Sequence, residues 1–374
     1  MSNGTAIISD VVMKYGGAEK VLESILQIYP KSVLYTLFIV PSARKKLMER
    51  FPYLTIKTSK WQLFVRDDRV TKYISIIKVL SWIYWERLDL SGYDTVISSS
   101  HSFMSKNVRS DNNAFHLSYI HTPPRYLYDE FNEIEFIKGR IGSVLFWPIK
   151  KILRGIDKRG AKRPDKLVAN SKNVQTRIKR YYGREVQVVY PPVDDFTLKK
   201  YFGRKRGDYY IWVSRLVKQK GIYQAVETCE QMGRKLIVVG GGDELTKLRQ
   251  KKYKWVTFEG ACSDEKKFQL MSKSKALIYT SVDEDFGIVP VESLMMGVPV
   301  IARNSGGVRE VVREGVNGLL FADNGGRGLE KTIIEFEKKD FDRLGCRKSV
   351  SSFGQQIFMD KLRDIIKKGN DRKN

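Results

Sequence analysis

At 374 residues the chain is too long for one ordinary hydrophobic core, so two domains are expected. Hydrophobic residues make up 42% of it, which excludes a disordered chain, yet no apolar run approaches the roughly 20 residues needed to span a bilayer. Sixty-seven Lys and Arg against 42 Asp and Glu leave a net charge of +25, which favours an anionic partner or a heavily solvated lysine surface.

The first seventeen residues, MSNGTAIISDVVMKYGG, lack the basic start, apolar run and cleavage site of a signal peptide. Cys229, Cys262 and Cys346 are scattered and odd in number, which suggests reduced thiols in a cytoplasm and gives no metal-ligand spacing. Only three histidines exist, which leaves little room for a histidine-metal site.

The apolar run after Thr5 reads as a strand, Gly16-Gly17 as a turn, and Val21, Leu22, Ile25, Leu26 and Tyr29 as one face of a helix. SVLYTLF, YDTVISSS, AFHLSYIH, KLVAN and VQVVYPP follow as short buried strands with helical or irregular stretches between them. After Tyr190-Pro191-Pro192 the pattern restarts with YYIWVSRL, KLIVVGGG, WVTFEG, ALIYTS, PVIAR and NGLLF. Such alternation predicts parallel sheets covered on both faces. The expected division is an N-terminal domain over 1–193 and a C-terminal domain over 194–353. A terminal helix over about 354–374 is expected to pack back on the first.

Two stretches mix aromatic and basic residues. KTSKWQLFVRDDRVTKYISIIKVLSWIYWER suits an interfacial site on anionic lipid. In FIKGRIGSVLFWPIKKILRGIDKRGAKR the apolar positions recur at helical spacing, so an ordinary helix with its apolar face buried is expected.

EDFGIVPVE at 284–292 poses a chemical question, because two carboxylates eight positions apart do not make a simple pair on one helix face. Gly287 permits a tight turn and Pro290 suits a first helical position, so the expected helix runs over 291–296 with Gly297 as its stop. Glu284 then sits in the loop and Glu292 in the first turn, with unpaired helix-start N–H groups between them. A ligand with hydroxyls at both ends and phosphate in the middle fits: a nucleotide sugar.

The pattern ExFGxxxxE, followed by GVPVIA, SGGVREVV and GVNGLLF, resembles retaining glycosyltransferases of family GT4. The resemblance runs from Gly16 to about Phe353. It implies the α/β GT-B fold, two Rossmann-like domains facing each other across a cleft. It implies that Glu284 addresses the transferred sugar and Glu292 the ribose hydroxyls. In VSRLVKQKG, Arg215 and Lys220 would clamp the diphosphate in place of a metal ion. His121, in YIHTPPRYLYDE, would contact the donor hexose. Gly16 and Gly17 would bring backbone amides to the diphosphate, and Gly241 and Gly242 in GGGDEL would border the base. Phe286, Gly287, Ile288 and Val289 join the donor side, and Asp10 and Arg125 the acceptor side.

Within that family IHTPPRYLYDE, LVANS and VVYPPVD most resemble bacterial O-antigen mannosyltransferases, although many relatives carry Asn-Gly where this chain has Pro191-Pro192. The resemblance implies GDP-mannose as donor, a lipid-linked saccharide as acceptor, no metal cofactor, and a peripheral place on the anionic inner face of the cell membrane. A UDP-hexose donor stays open. A nucleic-acid-binding protein would account for the charge, but Glu284 and Glu292 would repel phosphate, so no nucleic acid is expected. A dinucleotide-dependent oxidoreductase would need an intact glycine fingerprint with an acid about 20 residues on, and the two do not occur together.

Overall fold

The computed structural model describes residues 4–13, 16–67, 74–128, 140–323 and 327–373. The chain divides into two units: Met1–Pro192 together with Gln356–Asn374, and Val193–Gln355.

Unit 1 is built on seven strands: β1 (Thr5–Ser9), β2 (Val33–Thr36), β3 (Thr55–Thr58), β4 (Thr95–Ser100), β5 (Phe115–Ile120), β6 (Lys166–Ala169) and β7 (Gln187–Val188). They form one sheet in the order β3-β2-β1-β4-β5-β6-β7, every pair parallel. Helices cover both faces, so the central strands β4 and β5 bury every residue. Phe358, Leu362 and Ile366, from the helix Gln355–Asn370, belong to the same core as Ile7, Leu22 and Ile97.

Unit 2 has six strands: β8 (Tyr210–Val213), β9 (Leu236–Val239), β10 (Val256–Gly260), β11 (Leu277–Tyr279), β12 (Val300–Arg303) and β13 (Gly318–Phe321). Their order is β10-β9-β8-β11-β12-β13, again all parallel. In both sheets the chain winds outward one way, returns to the middle and winds out the other way. The chain therefore continues in opposite directions after β1 and β4 in unit 1, and after β8 and β11 in unit 2. Doubly wound sheets bind ligands at such switch points.

Three expectations need correcting. The strand β3 was not anticipated: TIKT is a polar edge strand without an apolar run. The helix after Gly287 covers Ile288–Met295, not 291–296, so Pro290 is its third residue and Glu292 lies in the second turn. Proline is tolerated there because a first-turn N–H has no intrahelical acceptor. Finally, the helix Arg140–Gly160 buries Phe146, Leu153 and Ile156 but leaves Trp147 and Ile152 65% and 64% exposed. Its apolar surface is thus wider than the buried stripe. Parts of both aromatic-basic stretches, 68–73 and 136–139, lie outside the described residues, as do Asp129 and Glu130 of IHTPPRYLYDE.

Candidate functional site

In unit 2, β8 leads through Arg215 to a turn at Lys218–Lys220, and β11 leads through Glu284 to the helix Ile288–Met295. The two loops are stapled together. The Thr280 hydroxyl donates to the Lys220 carbonyl at 2.8 Å and accepts from the Trp212 indole at 2.9 Å. The Val282 amide donates to the Gln219 carbonyl at 3.3 Å. From the other side, Gly307 donates to the Glu284 carbonyl at 2.7 Å and Asp283 to the Ser305 hydroxyl at 3.0 Å. Held between these bonds, Glu284 forms an ion pair with Lys220, the two side chains 24% and 18% exposed.

Burial pushes the Glu284 carboxyl upward, but the Lys220 ammonium, the Tyr279 hydroxyl and the Arg215 charge outweigh it and hold the pKa below the ordinary value. Arg215 is exposed beside this pair. The glycine turn after β9 locks onto the same loop: Leu216 donates to the Gly241 carbonyl at 2.9 Å and Glu244 to the Leu216 carbonyl at 3.1 Å. Gly242 has φ +152, and a Cβ there would lie 2.5 Å from the Leu216 carbonyl oxygen. Only glycine fits that crossing. Gly241 and Gly242 thus shape the Arg215 loop through their backbone.

Gly287 enters the helix at φ 106, in the left-handed region. The N–H groups of Ile288 and Val289 have no intrahelical acceptor, and Pro290 has none to offer. Phe286 is buried edge-on against Phe353, with ring centroids 5.3 Å apart, so its contact is packing. Glu292 is 2% exposed and pairs with Lys267 at 3.4 Å, which also reaches Asp264 at 2.8 Å. Arg215, Lys220 and Glu284 are therefore brought together, while Glu292 has a separate ion pair on the helix Asp264–Ser272.

In unit 1, Asp10 follows β1 and is buried. Its Oδ2 accepts the amides of His101 and Phe103 at 2.7 and 2.9 Å, and its Oδ1 accepts that of Ser105 at 2.8 Å. These bonds give the carboxylate a different occupation from the acceptor contact expected of it: it shapes the loop after β4. Gly16 caps the helix Gly17–Ile28, and its amide, expected to face a diphosphate, donates to Glu19 Oε2 at 3.0 Å. Burial raises the Glu19 carboxyl, against opposing backbone hydrogen bonds and the field of His101. His121 follows β5, buried, its Nε2 sharing a hydrogen bond with the Ser99 hydroxyl at 2.8 Å. Burial, with some help from His101, pushes its pKa down to about 3, so it is neutral at physiological pH. Arg125 begins the short helix Arg125–Tyr128 and is half-buried.

Sequence reasoning singled out none of Glu19, Ser99, His101 and Tyr279. The SSSHS run at the end of β4 is the signal that could have pointed to Ser99 and His101. Among the described residues, no three His, Cys, Asp or Glu come together to hold a metal ion.

Residues 194–354 match the family model described as Glycosyl transferases group 1. This part of the chain, which is nearly all of unit 2, is similar to the group 1 glycosyl transferases. The chain is 32% identical over 183 residues to the human alpha-1,3/1,6-mannosyltransferase ALG2, covering 42% of this chain and 44% of that protein. An uncharacterized glycosyltransferase of Methanocaldococcus jannaschii, MJ1178, is 25% identical over 203 residues, 53% of this chain and 56% of its own. The chain thus spans about half the length of the curated relatives it matches. Anabaena Alr3699/HepE in complex with UDP shares the fold at TM-score 0.68 and 18% identity, covering 98% of this chain and 100% of that one. Sucrose-phosphate synthase of Thermosynechococcus elongatus does so at TM-score 0.71 and 15% identity, over 98% of each chain. These likenesses give the two-unit α/β fold as GT-B; the chemistry of unit 2 has to be read from its residues.

Proposed function

We propose that the protein is a retaining hexosyltransferase that moves mannose from GDP-mannose onto a lipid-linked saccharide, in bacterial O-antigen or related polysaccharide assembly. The observation that carries this reading is the Lys220–Glu284 pair beside Arg215 at the unit 2 switch point. Lys220 and Arg215 are cations where the leaving diphosphate gains charge, and the N–H groups of Ile288 and Val289 add dipoles beside them. These groups take the part that a metal ion plays in other transferases. Glu284, released from Lys220 as phosphate takes its ammonium, accepts hydrogen bonds from the sugar hydroxyls. The departing phosphate then takes the proton of the attacking hydroxyl on the same face, which retains the anomeric configuration.

The donor sugar is supported by the mannosyltransferase names among the relatives, and a UDP-hexose is the competing donor. A peripheral site on the anionic inner face of the cell membrane is supported by the helix Arg140–Gly160. Trp147, Ile149 and Ile152 are exposed on it beside Lys151, and its one acid, Asp157, is buried in an ion pair with Lys106. Among the described residues no helix is long and apolar enough to cross a membrane. Loss of flotation with anionic vesicles in a Trp147→Ser, Ile152→Ser protein would support this site; unchanged flotation would remove it.

The test of function is transfer by the purified protein from GDP-mannose, UDP-glucose, UDP-GlcNAc and UDP-galactose, with and without EDTA, to a synthetic lipid-diphosphate sugar. Turnover of GDP-mannose that survives EDTA and disappears in Glu284→Ala is the expected result. Turnover of a UDP-sugar alone would overturn the donor. Failure to bind any nucleotide sugar would overturn the enzyme.

A further inference from the structure

Unit 2 has a concavity formed mainly by residues that precede strands β8 to β11, closed by the end of the helix Gly328–Glu337 and by Phe341 beyond it. It has a volume of 470 Å³, within the roughly 300–1,000 Å³ usual for small-molecule sites. It lies at the sheet edge remote from the Lys220 and Glu284 loops, since all six strands run parallel. Five cations line it, Arg206, Arg234, Lys235, Lys275 and Lys339, against two carboxylates, Asp208 and Glu337.

Those carboxylates cancel only part of the charge, and Lys339 is tied to Glu335 at 2.6 Å, so Arg206, Lys235 and Lys275 carry the excess. Glu337 is fully engaged, accepting from Arg234 Nε and Nη2 at 2.8 Å each and from the Tyr210 hydroxyl at 3.0 Å. Asp208 is shared between Lys275 at 2.6 Å and Lys235 at 3.6 Å on a side chain 72% exposed, so its pairs are weak and exchangeable. Arg206 donates only to the carbonyls of Gly297 and Phe341, at 3.4 and 3.2 Å. Its Nε is buried with no hydrogen-bond partner among the described residues. Burial and the nearby Arg343 charge press its pKa downward, and the field of Asp340 offsets only part of this. Among the described residues the Arg206 guanidinium donates to carbonyls alone, so an anion at its edge of the cavity would gain a charge-assisted hydrogen bond. The walls add a preference for flat rings: Trp255 is half-exposed, and Phe336 stacks on Phe341 with centroids 5.0 Å apart.

We propose that this cavity is a second ligand site, binding a small phosphorylated molecule that carries a planar ring. The phosphate takes Lys275, Lys235 and the Arg206 edge, displacing Asp208, and the ring lies against Trp255. The site is independent of the transfer chemistry.

Adenosine 5′-monophosphate and inorganic pyrophosphate serve as probes, titrated calorimetrically into the full-length protein at constant ionic strength. The nucleotide is expected to bind equally well to wild type and to Lys220→Ala, which removes a cation of the transfer site. In Lys235→Gln, Lys275→Gln its affinity is expected to fall by about tenfold, a 1.4 kcal/mol effect. Both lysines are surface residues, so the fold is kept, and a thermal melt checks this. Trp255→Ala should erase the advantage of the nucleotide over pyrophosphate. Binding that disappears in Lys220→Ala, that ignores the lysine substitutions, or that is absent at millimolar ligand would overturn the proposal. A nucleotide advantage that survives Trp255→Ala would overturn the ring contact.

Discussion

The two units carry the same winding, and each places a carboxylate at its switch point, yet the two acids are held differently. Asp10 is buried, and three rigid backbone N–H groups occupy its oxygens. Glu284 is partly open and faces the mobile end of a lysine side chain. An amide partner cannot leave without unmaking the loop after β4, whereas an ammonium can swing to another anion at little cost. Topology therefore marks where chemistry can occur, and the kind of partner shows whether the acid is committed to architecture or available to a ligand.

The most direct way to break this contrast is to remove each acid in turn. Glu284→Gln and Lys220→Ala should each lower kcat/KM for transfer by roughly 10²–10³, the usual effect of losing one preorganised electrostatic group. Their melting temperatures should stay within a few degrees of wild type. If the pair is mainly structural, stability will fall as steeply as rate. Asp10→Ala should do the reverse and destabilise unit 1 by roughly 3 kcal/mol, because several buried N–H groups lose their acceptor at once. Urea unfolding measures it, and an unchanged midpoint would show that the loop finds other partners.

Acid sharpens the comparison. His116, on β5, and His121 both have pKa values pushed down to about 3, in each case chiefly by burial. The unfolded chain binds these protons near its ordinary value of about 6.5, so unit 1 loses stability as pH falls from there toward 3. Glu284 has a lowered pKa, so its contribution is present above the unfolded carboxylate value and is lost only as pH falls through its folded one. Hydrogen exchange at pH 5 should show unit 1 strands opening before those of unit 2. Equal acid sensitivity in the two units would count against this assignment of charge states. The smallest effect belongs to Gly242→Ala, which forces a Cβ toward the Leu216 carbonyl and should cost about 1–3 kcal/mol. Donor affinity should weaken several-fold as the Arg215 loop shifts; an unchanged affinity would uncouple the glycine turn from that loop.

Much of the fold was legible because short apolar runs alternate with helical periodicity, and parallel strands buried on both faces leave that mark. The edge strand β3 left none, since Thr55, Lys57 and Thr58 carry no apolar signal. The helix start at Ile288 is hidden because proline suits a first helical position, whereas here Gly287 supplies the turn and Pro290 occupies the third place. Side-chain partners were the least legible. No local pattern says that Asp10 will be claimed by amides some 90 residues later, or that Glu292 will face Lys267. Those pairings arise only when distant strands are laid side by side.

The chain leaves unit 1 after Pro192 and returns at Gln356, and the two ends of unit 2 lie together, with Val193 donating to the Phe353 carbonyl at 3.1 Å. Unit 2 is therefore a guest inserted in a host, able to close on itself while the ribosome is still at work. Its host must wait: Tyr119 is edge-on to Phe358, which emerges only after the whole of unit 2. A polypeptide lacking the helix Gln355–Asn370 would keep a finished guest and an unfinished host, so one helix decides whether the first unit can close at all.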